Sequence, residues 1–243
     1  MPHKPLPETS ADGVSLSSVA RKGARALAGR MMPSSLLVMN GTESPPKSEV
    51  RPTTSRHGRK RVALTFDDGP DELTPEYLAL LDRLRVRATF FLVGDACARH
   101  PDHVRSLAAA GHELAGHGYT HQRFSALSTS ELRSELERTQ ALLPASPRER
   151  PLVRPPHGAL SLPAFFTCAR AGFTVALWSY NSGDWATDRA DVIARNFRER
   201  PPEDGAIVLM HEGQRWTLDA LPAVVGSLRD RGYELCTVGE LVD

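Results

Sequence analysis

The sequence has few cysteines, no long apolar run and no excess of charge of either sign. Cys97, Cys168 and Cys236 are its only three cysteines, they lie far apart, and none belongs to a CxxC pair. Neither a disulfide framework nor a cysteine metal site is indicated, and each thiol is expected to be a buried apolar group. No apolar stretch approaches the ~18 residues that a membrane-spanning helix requires. Lys and Arg number 30 against 29 Asp and Glu, a net charge of +1. That balance argues against nucleic acid as a partner. What is there, 243 residues of which 40% are hydrophobic and 24% charged, is ordinary for a soluble globular protein with room for one domain and an extension.

The extension is the first part of the chain. "HKPLPETSADG" and "NGTESPPKSEVRPTTSRHGRK" are rich in Pro, Ser, Thr and charge and poor in large apolar residues, so they cannot bury enough surface to offset the entropy of ordering. Between them, Arg21, Lys22, Arg25 and Arg30 carry positive charge, and Val19, Leu27 and Met31 fall at roughly helical spacing. Residues 1–58 are read as a flexible or partly helical basic arm; a weakly ordered arm packing on the domain is the favoured reading, and weak contact with anionic membrane surfaces the alternative. "SSLLVMN" is too short and too late to be the apolar core of a cleavable signal. The expected location is therefore cytoplasmic or peripheral to the inner membrane.

From residue 59 to 243 the sequence reads as one domain with a repeated rhythm. "RVALTF", "RATFFLV", "HELAG", "PLVRP", "FTVALWSY", "AIVLM" and "YELCTV" are short apolar runs that predict buried strands. Amphipathic stretches alternate with them, and start and stop signals fit: Thr74-Pro75-Glu76 opens one helix, and Ser128 with Glu131 forms a capping box before another. Alternation of near-continuous apolar strands with helices argues an α/β fold with a parallel sheet covered by helices. About seven strands suit a closed or nearly closed (β/α) barrel, in which reactive groups sit where the strands end.

Those strand ends are polar. The first run is followed by Asp67-Asp68-Gly69-Pro70, and the third by "GHGYTHQ", which sets His117 and His121 four apart. The fourth runs into Arg154-Pro155-Pro156-His157-Gly158, the fifth into Asn181-Ser182-Gly183-Asp184-Trp185, and the sixth ends Leu209-Met210-His211-Glu212. Two imidazoles four apart can point at one atom, and a carboxylate from another strand end completes a His-His-Asp set suited to zinc. A bound ion also accounts for the doubled aspartate, one carboxylate gripping it and the other left free as a base. Each piece alone is ambiguous: "FDDGP" is also a good turn sequence, and Arg-Pro-Pro a common rigid connector. Their order, each after its own strand, carries the reading.

That ordered set resembles the NodB-homology polysaccharide deacetylases, carbohydrate esterase family 4. "TFDDGP", "HGYTH", "RPPHG", "DW" and "LMH" occur in the family's order between roughly Arg61 and Leu241. The resemblance implies a distorted (β/α) barrel with fewer than eight strands, and a metal-dependent hydrolase acting on N-acetylated sugars through a divalent ion, zinc first, with Co2+, Mn2+ or Ni2+ as substitutes. It implies Asp67 as general base and Asp68, His117 and His121 as metal ligands. Arg154 would pair with the base, and the backbone amide of His157 would face the oxyanion. Asp184 would hold the acid His211, and Trp185, Leu209, Pro155 and Pro156 would line the substrate pocket. The chemistry has a physical basis. A divalent ion lowers the pKa of its water, and imidazole titrates near neutrality and suits protonation of a leaving amine.

Two positions depart from the family pattern. Gly118 stands where Ser or Thr is common, so the hydroxyl that helps to fix that loop is missing. His157 stands where Tyr is common; the expected role is the main-chain amide's, and the side chain bears on which sugar fits. Two competing readings are the same chemistry on a non-polymeric amide and a catalytically silent carbohydrate-binding barrel. His100, His103 and His112 are expected at the surface or at helix ends. Glu212, beside His211, is read either as a support for the site or as a solvent-exposed loop residue.

Overall fold

The structure, a computed structural model, describes residues 59–242 with the exception of Pro147. The reading of residues 1–58 as a basic arm lies outside the described residues. All seven apolar runs of the sequence enter one parallel sheet. Its strands are β1 (Lys60–Asp67), β2 (Thr89–Leu92), β3 (Glu113–Gly116), β4 (Leu152–Val153), β5 (Thr174–Val175), β6 (Tyr180–Asn181), β7 (Ala206–His211) and β8 (Tyr233–Cys236), in the order β5-β4-β3-β2-β1-β7-β6 with β8 against β1. Strand β1 is the hub. It pairs with β7 from Val62 to Asp67, with β8 from Lys60 to Ala63, and with β2 from Thr65 to Asp67.

The fifth run, expected as one strand, forms two. Its first part pairs with β4 and its second with β7. Between them the Ala176 N–H bonds the Val153 carbonyl and the Ser179 N–H bonds the Ile207 carbonyl. One stretch of chain thus supplies both end strands of the curled sheet. The split has a local cause: the carbonyls of Ala176 and Leu177 are taken by the Arg154 guanidinium.

The helices are α1 (Thr74–Leu84), α2 (Gly94–Arg99), α3 (Pro101–Ala109), α4 (Thr129–Gln140), α5 (Leu162–Arg170), α6 (Ala190–Glu199), α7 (Arg215–Asp230) and α8 (Val238–Val242). The Ser128–Glu131 capping box is present at the start of α4. Helices α2 and α8, of 6 and 5 residues, are too short to announce themselves by a 3.6-residue period. No described helix is long and apolar enough to cross a membrane. All three cysteines are free and buried.

Strand alternation sorts the core into two layers. Val62, Leu64 and Phe66 of β1, with Val208 and Met210 of β7, pack outward against Tyr77 and Leu81 of α1, Phe197 of α6 and Leu221 and Val225 of α7. Ala63 and Ile207 face inward with Phe91, Ala115, Ala176 and Cys236. The same period carries Thr65 and Asp67 of β1, and Leu209 and His211 of β7, toward the barrel axis. The register sets Asp67 beside His211 on one flank and Phe91 on the other.

His112 is not at the surface. It is 8% exposed, its ring meets Phe90 edge-on, and Nδ1 accepts the Ala88 N–H at 3.2 Å. Burial, with the nearby charge of Arg87, pushes its pKa down to about 4 from 6.5. Below pH 6.5 the unfolded chain therefore takes up a proton that the folded chain refuses. Stability is lost as pH falls from 6.5 toward 4, by up to ~1.4 kcal/mol per pH unit from this group. Substituting His112→Asn keeps an acceptor for the Ala88 N–H but removes the titration. Urea unfolding at pH 7 and pH 5 should show a shallower loss of stability in the variant than in the wild type.

Candidate metal and catalytic site

Asp67, the last residue of β1, is buried at the mouth of the barrel. Its Oδ1 accepts from Arg154 Nη1 at 2.6 Å. Arg154 follows β4 and has no exposed surface. It also donates to Thr65 Oγ1 at 2.8 Å, the Ala176 carbonyl at 3.2 Å and the Leu177 carbonyl at 3.1 Å, and its guanidinium lies over the Phe91 ring. A buried charge is tolerated when it is paired and well hydrogen-bonded; here it is paired with Asp67, and four of the five guanidinium N–H groups have acceptors. The pairing leaves Asp67 Oδ2 facing His117 Nε2, 3.7 Å away.

Strict alternation would send Asp68 to the outer face. Its left-handed backbone, φ 77, turns the chain just past β1, a conformation that Asp tolerates better than most residues. The carboxylate stays at the mouth, with Oδ1 3.0 Å from His121 Nε2 and 3.5 Å from His117 Nε2. Burial tends to raise the Asp68 pKa, but the His121 hydrogen bond and the charges of His117 and His211 outweigh it and bring it to about 2. His117, buried just past β3, places Nδ1 2.8 Å from the Arg154 carbonyl. A carbonyl only accepts, so Nδ1 carries the proton and Nε2 presents its lone pair to the site. Burial holds the His117 pKa down despite the neighbouring carboxylates.

One ligand atom from each of Asp68, His117 and His121 lies within 4.8 Å of the others. Ligands about 2.1 Å from a common ion stand roughly 3.0–3.4 Å apart at right-angle to tetrahedral geometry. Both Asp68–imidazole separations are close to that range. The donor types, one carboxylate oxygen and two imidazole nitrogens, suit a divalent ion such as zinc.

The second half of the site is built on Asp184, in a 3-10 turn after β6. It is fully buried, and its oxygens accept from the His211 N–H at 2.7 Å, Ser182 Oγ at 2.9 Å and Thr217 Oγ1 at 2.9 Å. Oδ1 also lies 3.0 Å from His211 Nδ1. Burial works against a charged His211 imidazole, but the hydrogen bond and charge of Asp184, with Asp67 and Asp68, outweigh it and raise the pKa. With Nδ1 held by Asp184, Nε2 is the ring atom left for chemistry.

The residues expected in the substrate pocket are placed unequally. Trp185 is 63% exposed, with its indole N–H on Asn181 Oδ1. Leu209 is buried below the mouth. Pro155 and Pro156 are buried as well, and Pro156 would touch a Cβ at Gly118. His157 is exposed in a left-handed conformation, φ 58. Its ring meets His121 edge-on at 4.8 Å, and no described group accepts from its N–H.

Sequence reasoning missed Thr65, Ser182 and Thr217 as supports. Thr65 offered a signal, a hydroxyl in an otherwise apolar strand. Thr217 offered none, because only the packing of α7 brings it to Asp184. Of the two readings of Glu212, the structure supports burial rather than exposure. Its carboxyl takes the Thr74 hydroxyl, and burial, with Asp71 and Asp68 nearby, pushes its pKa up to about 8. It also fixes Gly69, where a Cβ would run into the Glu212 carboxyl.

Residues 54–176 match the family model for polysaccharide deacetylase. The chain is 34% identical over 203 residues to a chitooligosaccharide deacetylase of Bradyrhizobium, covering 76% of this chain and 91% of the relative. It is 33% identical over 184 residues to the peptidoglycan-N-acetylglucosamine deacetylase PgdA of Listeria monocytogenes, covering 75% of this chain but only 39% of that longer protein. Among solved structures it superposes on a family 4 carbohydrate esterase from Streptomyces lividans, in complex with acetate, with a TM-score of 0.67 and 33% identity over 73% of this chain and 91% of that one. The chain belongs to the polysaccharide deacetylase family.

Proposed function

We propose that the chain is a divalent-metal-dependent hydrolase that removes N-acetyl groups from acetylated amino sugars. The observation that carries this reading is the convergence of Asp68, His117 and His121 on one point beside Asp67, with Asp184-held His211 on the adjoining strand. The names of the relatives supply the substrate class, N-acetylated sugars of chitooligosaccharide or peptidoglycan type.

Asp68 Oδ1 and the Nε2 atoms of His117 and His121 would hold the ion. When bound, it supplies a water acidified toward neutral pH and a positive charge for the acetyl oxygen. Asp67 Oδ2 takes the proton from the attacking water, while Arg154 keeps Oδ1 occupied and the carboxylate oriented. The His157 N–H donates to the oxygen of the tetrahedral intermediate. His211 Nε2 gives a proton to the departing amine as the C–N bond breaks, leaving acetate and a free amino sugar. Asp184 fixes the His211 tautomer and steadies its charged form. The exposed Trp185 indole offers a flat apolar face to a sugar ring at the mouth.

Four outcomes follow. Asp67→Asn should lower acetate release by roughly 10²–10⁴-fold while zinc binding, measured by calorimetry, is retained. His121→Ala should lose zinc and activity together. Acetate assays on N-acetylglucosamine oligomers, peptidoglycan fragments and small acetylated amines, with and without chelator, define the substrate. Release from the sugars that chelator abolishes is the expected result. Release from the small amines alone would move the reading to a non-polymeric amide, and no release by a zinc-loaded protein would favour the silent barrel. Arg154→Met should lower stability by about 3–5 kcal/mol, because it strands a buried carboxylate; chemical denaturation checks this.

A further inference from the structure

Glu135 belongs to none of the motifs that mark the site. It lies on α4, on the face that buries Leu132, Leu136 and Thr139, and is itself 7% exposed. A carboxylate on the core face of a helix is stable only if its oxygens are well satisfied. Among the described residues no cation pairs with it. Instead, Oε2 accepts the amide N–H of Tyr119 at 2.7 Å and of Thr120 at 2.8 Å, and Oε1 accepts the Thr120 hydroxyl at 3.0 Å. Tyr119 and Thr120 are the middle of the segment that runs from His117 to His121.

The other side of that segment is held as well. The Gly118 carbonyl accepts the Gly94 N–H and the Tyr119 carbonyl accepts the Asp95 N–H, each at 2.9 Å, and the His117 N–H bonds the Leu92 carbonyl at 2.8 Å. The first turn of α2 therefore grips the carbonyls, and Glu135 grips the amides. The grip has strain to contain. Gly118 has φ 75 and His121 has φ 59, and a left-handed histidine persists only where its surroundings over-determine it. A Cβ at Gly118 would stand 3.3 Å from Glu135 Oε2 and 3.1 Å from Phe124, so glycine there also lets the carboxylate come in beneath the loop.

We propose that Glu135 is a positioning residue for the metal centre: its carboxylate fixes the backbone of residues 118–120 so that the Nε2 atoms of His117 and His121 converge, and it thereby sets the affinity of the site for a divalent ion. The inference rests on the reading of Asp68, His117 and His121 as metal ligands. It answers the sequence's departure at Gly118, since the loop that lacks a hydroxyl at that position is fixed from the neighbouring helix.

The test is zinc affinity of the full-length, metal-stripped chain, measured by competition with a chromophoric chelator for wild type, Glu135→Ala, Glu135→Gln and Leu132→Ala, together with the visible spectrum of each cobalt-substituted form. Loss of an outer group that orients ligands typically weakens metal binding about 10–100-fold. Glu135→Ala is expected to fall in that range with an altered cobalt spectrum. Glu135→Gln, which keeps one accepting oxygen, should lose less. Leu132→Ala, which loosens the same helix without touching the loop, should leave affinity and spectrum near the wild type. Zinc binding by Glu135→Ala as tight as the wild type would overturn the proposal, as would an equal loss in Leu132→Ala. If the alanine variant does not fold, Glu135→Gln decides: weakened binding in a folded protein supports the proposal and unchanged binding overturns it. A wild-type chain that binds no zinc at this site would instead overturn the metal reading itself, and this inference with it.

Discussion

The buried ion pair between Arg154 and Asp67 is the constraint on which the rest of the site depends. A buried pair is weak evidence for stability, because removing two charges from water offsets most of their attraction. What it fixes is geometry. The Arg154 side chain reaches from the end of β4 to β1 and to the gap between β5 and β6, so one guanidinium ties together three strand ends. Its own carbonyl takes His117 Nδ1. The same residue therefore orients the base with its side chain and a metal ligand with its main chain. Asp67 and His117 cannot drift independently.

This arrangement explains how two adjacent aspartates come to do different things. Asp67 obeys the alternation of β1, points down the barrel axis and meets Arg154. Asp68 breaks it with a left-handed turn and meets the two imidazoles instead. Gly69, with Glu212 pressed against it, and the Thr74 hydroxyl under Glu212 support that turn from behind. One covalent step separates the two carboxylates, yet one faces a permanent cation and the other an open triangle of ligand atoms. The acid half follows the same logic on β7, where Asp184 takes both the main chain and the ring of His211.

Much of this was legible in the sequence, for a physical reason. In a parallel barrel, residues just past the strands collect at one mouth whatever the helices between them do. Asp67, Asp68, His117, His121, Arg154, Asp184 and His211 could therefore be placed together from their position after apolar runs. The residues that could not be read depend on side-to-side packing. Thr217 reaches Asp184 because α7 lies against the strand end, and Glu135 reaches the histidine loop because α4 lies beneath it. In the sequence Glu135 is only an acid at a core position between Leu132 and Leu136, a small anomaly in an amphipathic pattern. His112 was expected at the surface or at a helix end: it stands just past α3, where its N–H bonds the Leu107 carbonyl, and β3, which begins at the next residue, draws its ring in against Phe90. The fifth apolar run looked like one strand because its composition does not record that Arg154 interrupts its ladder.

The most direct measurement is the position of zinc by anomalous X-ray scattering at the zinc edge, from crystals of the full chain grown with the metal. The account predicts one peak among Asp68 Oδ1, His117 Nε2 and His121 Nε2, with Asp67 outside the coordination shell and still on Arg154. A peak that Asp67 ligates directly, or zinc bound elsewhere and not in this triangle, would contradict it.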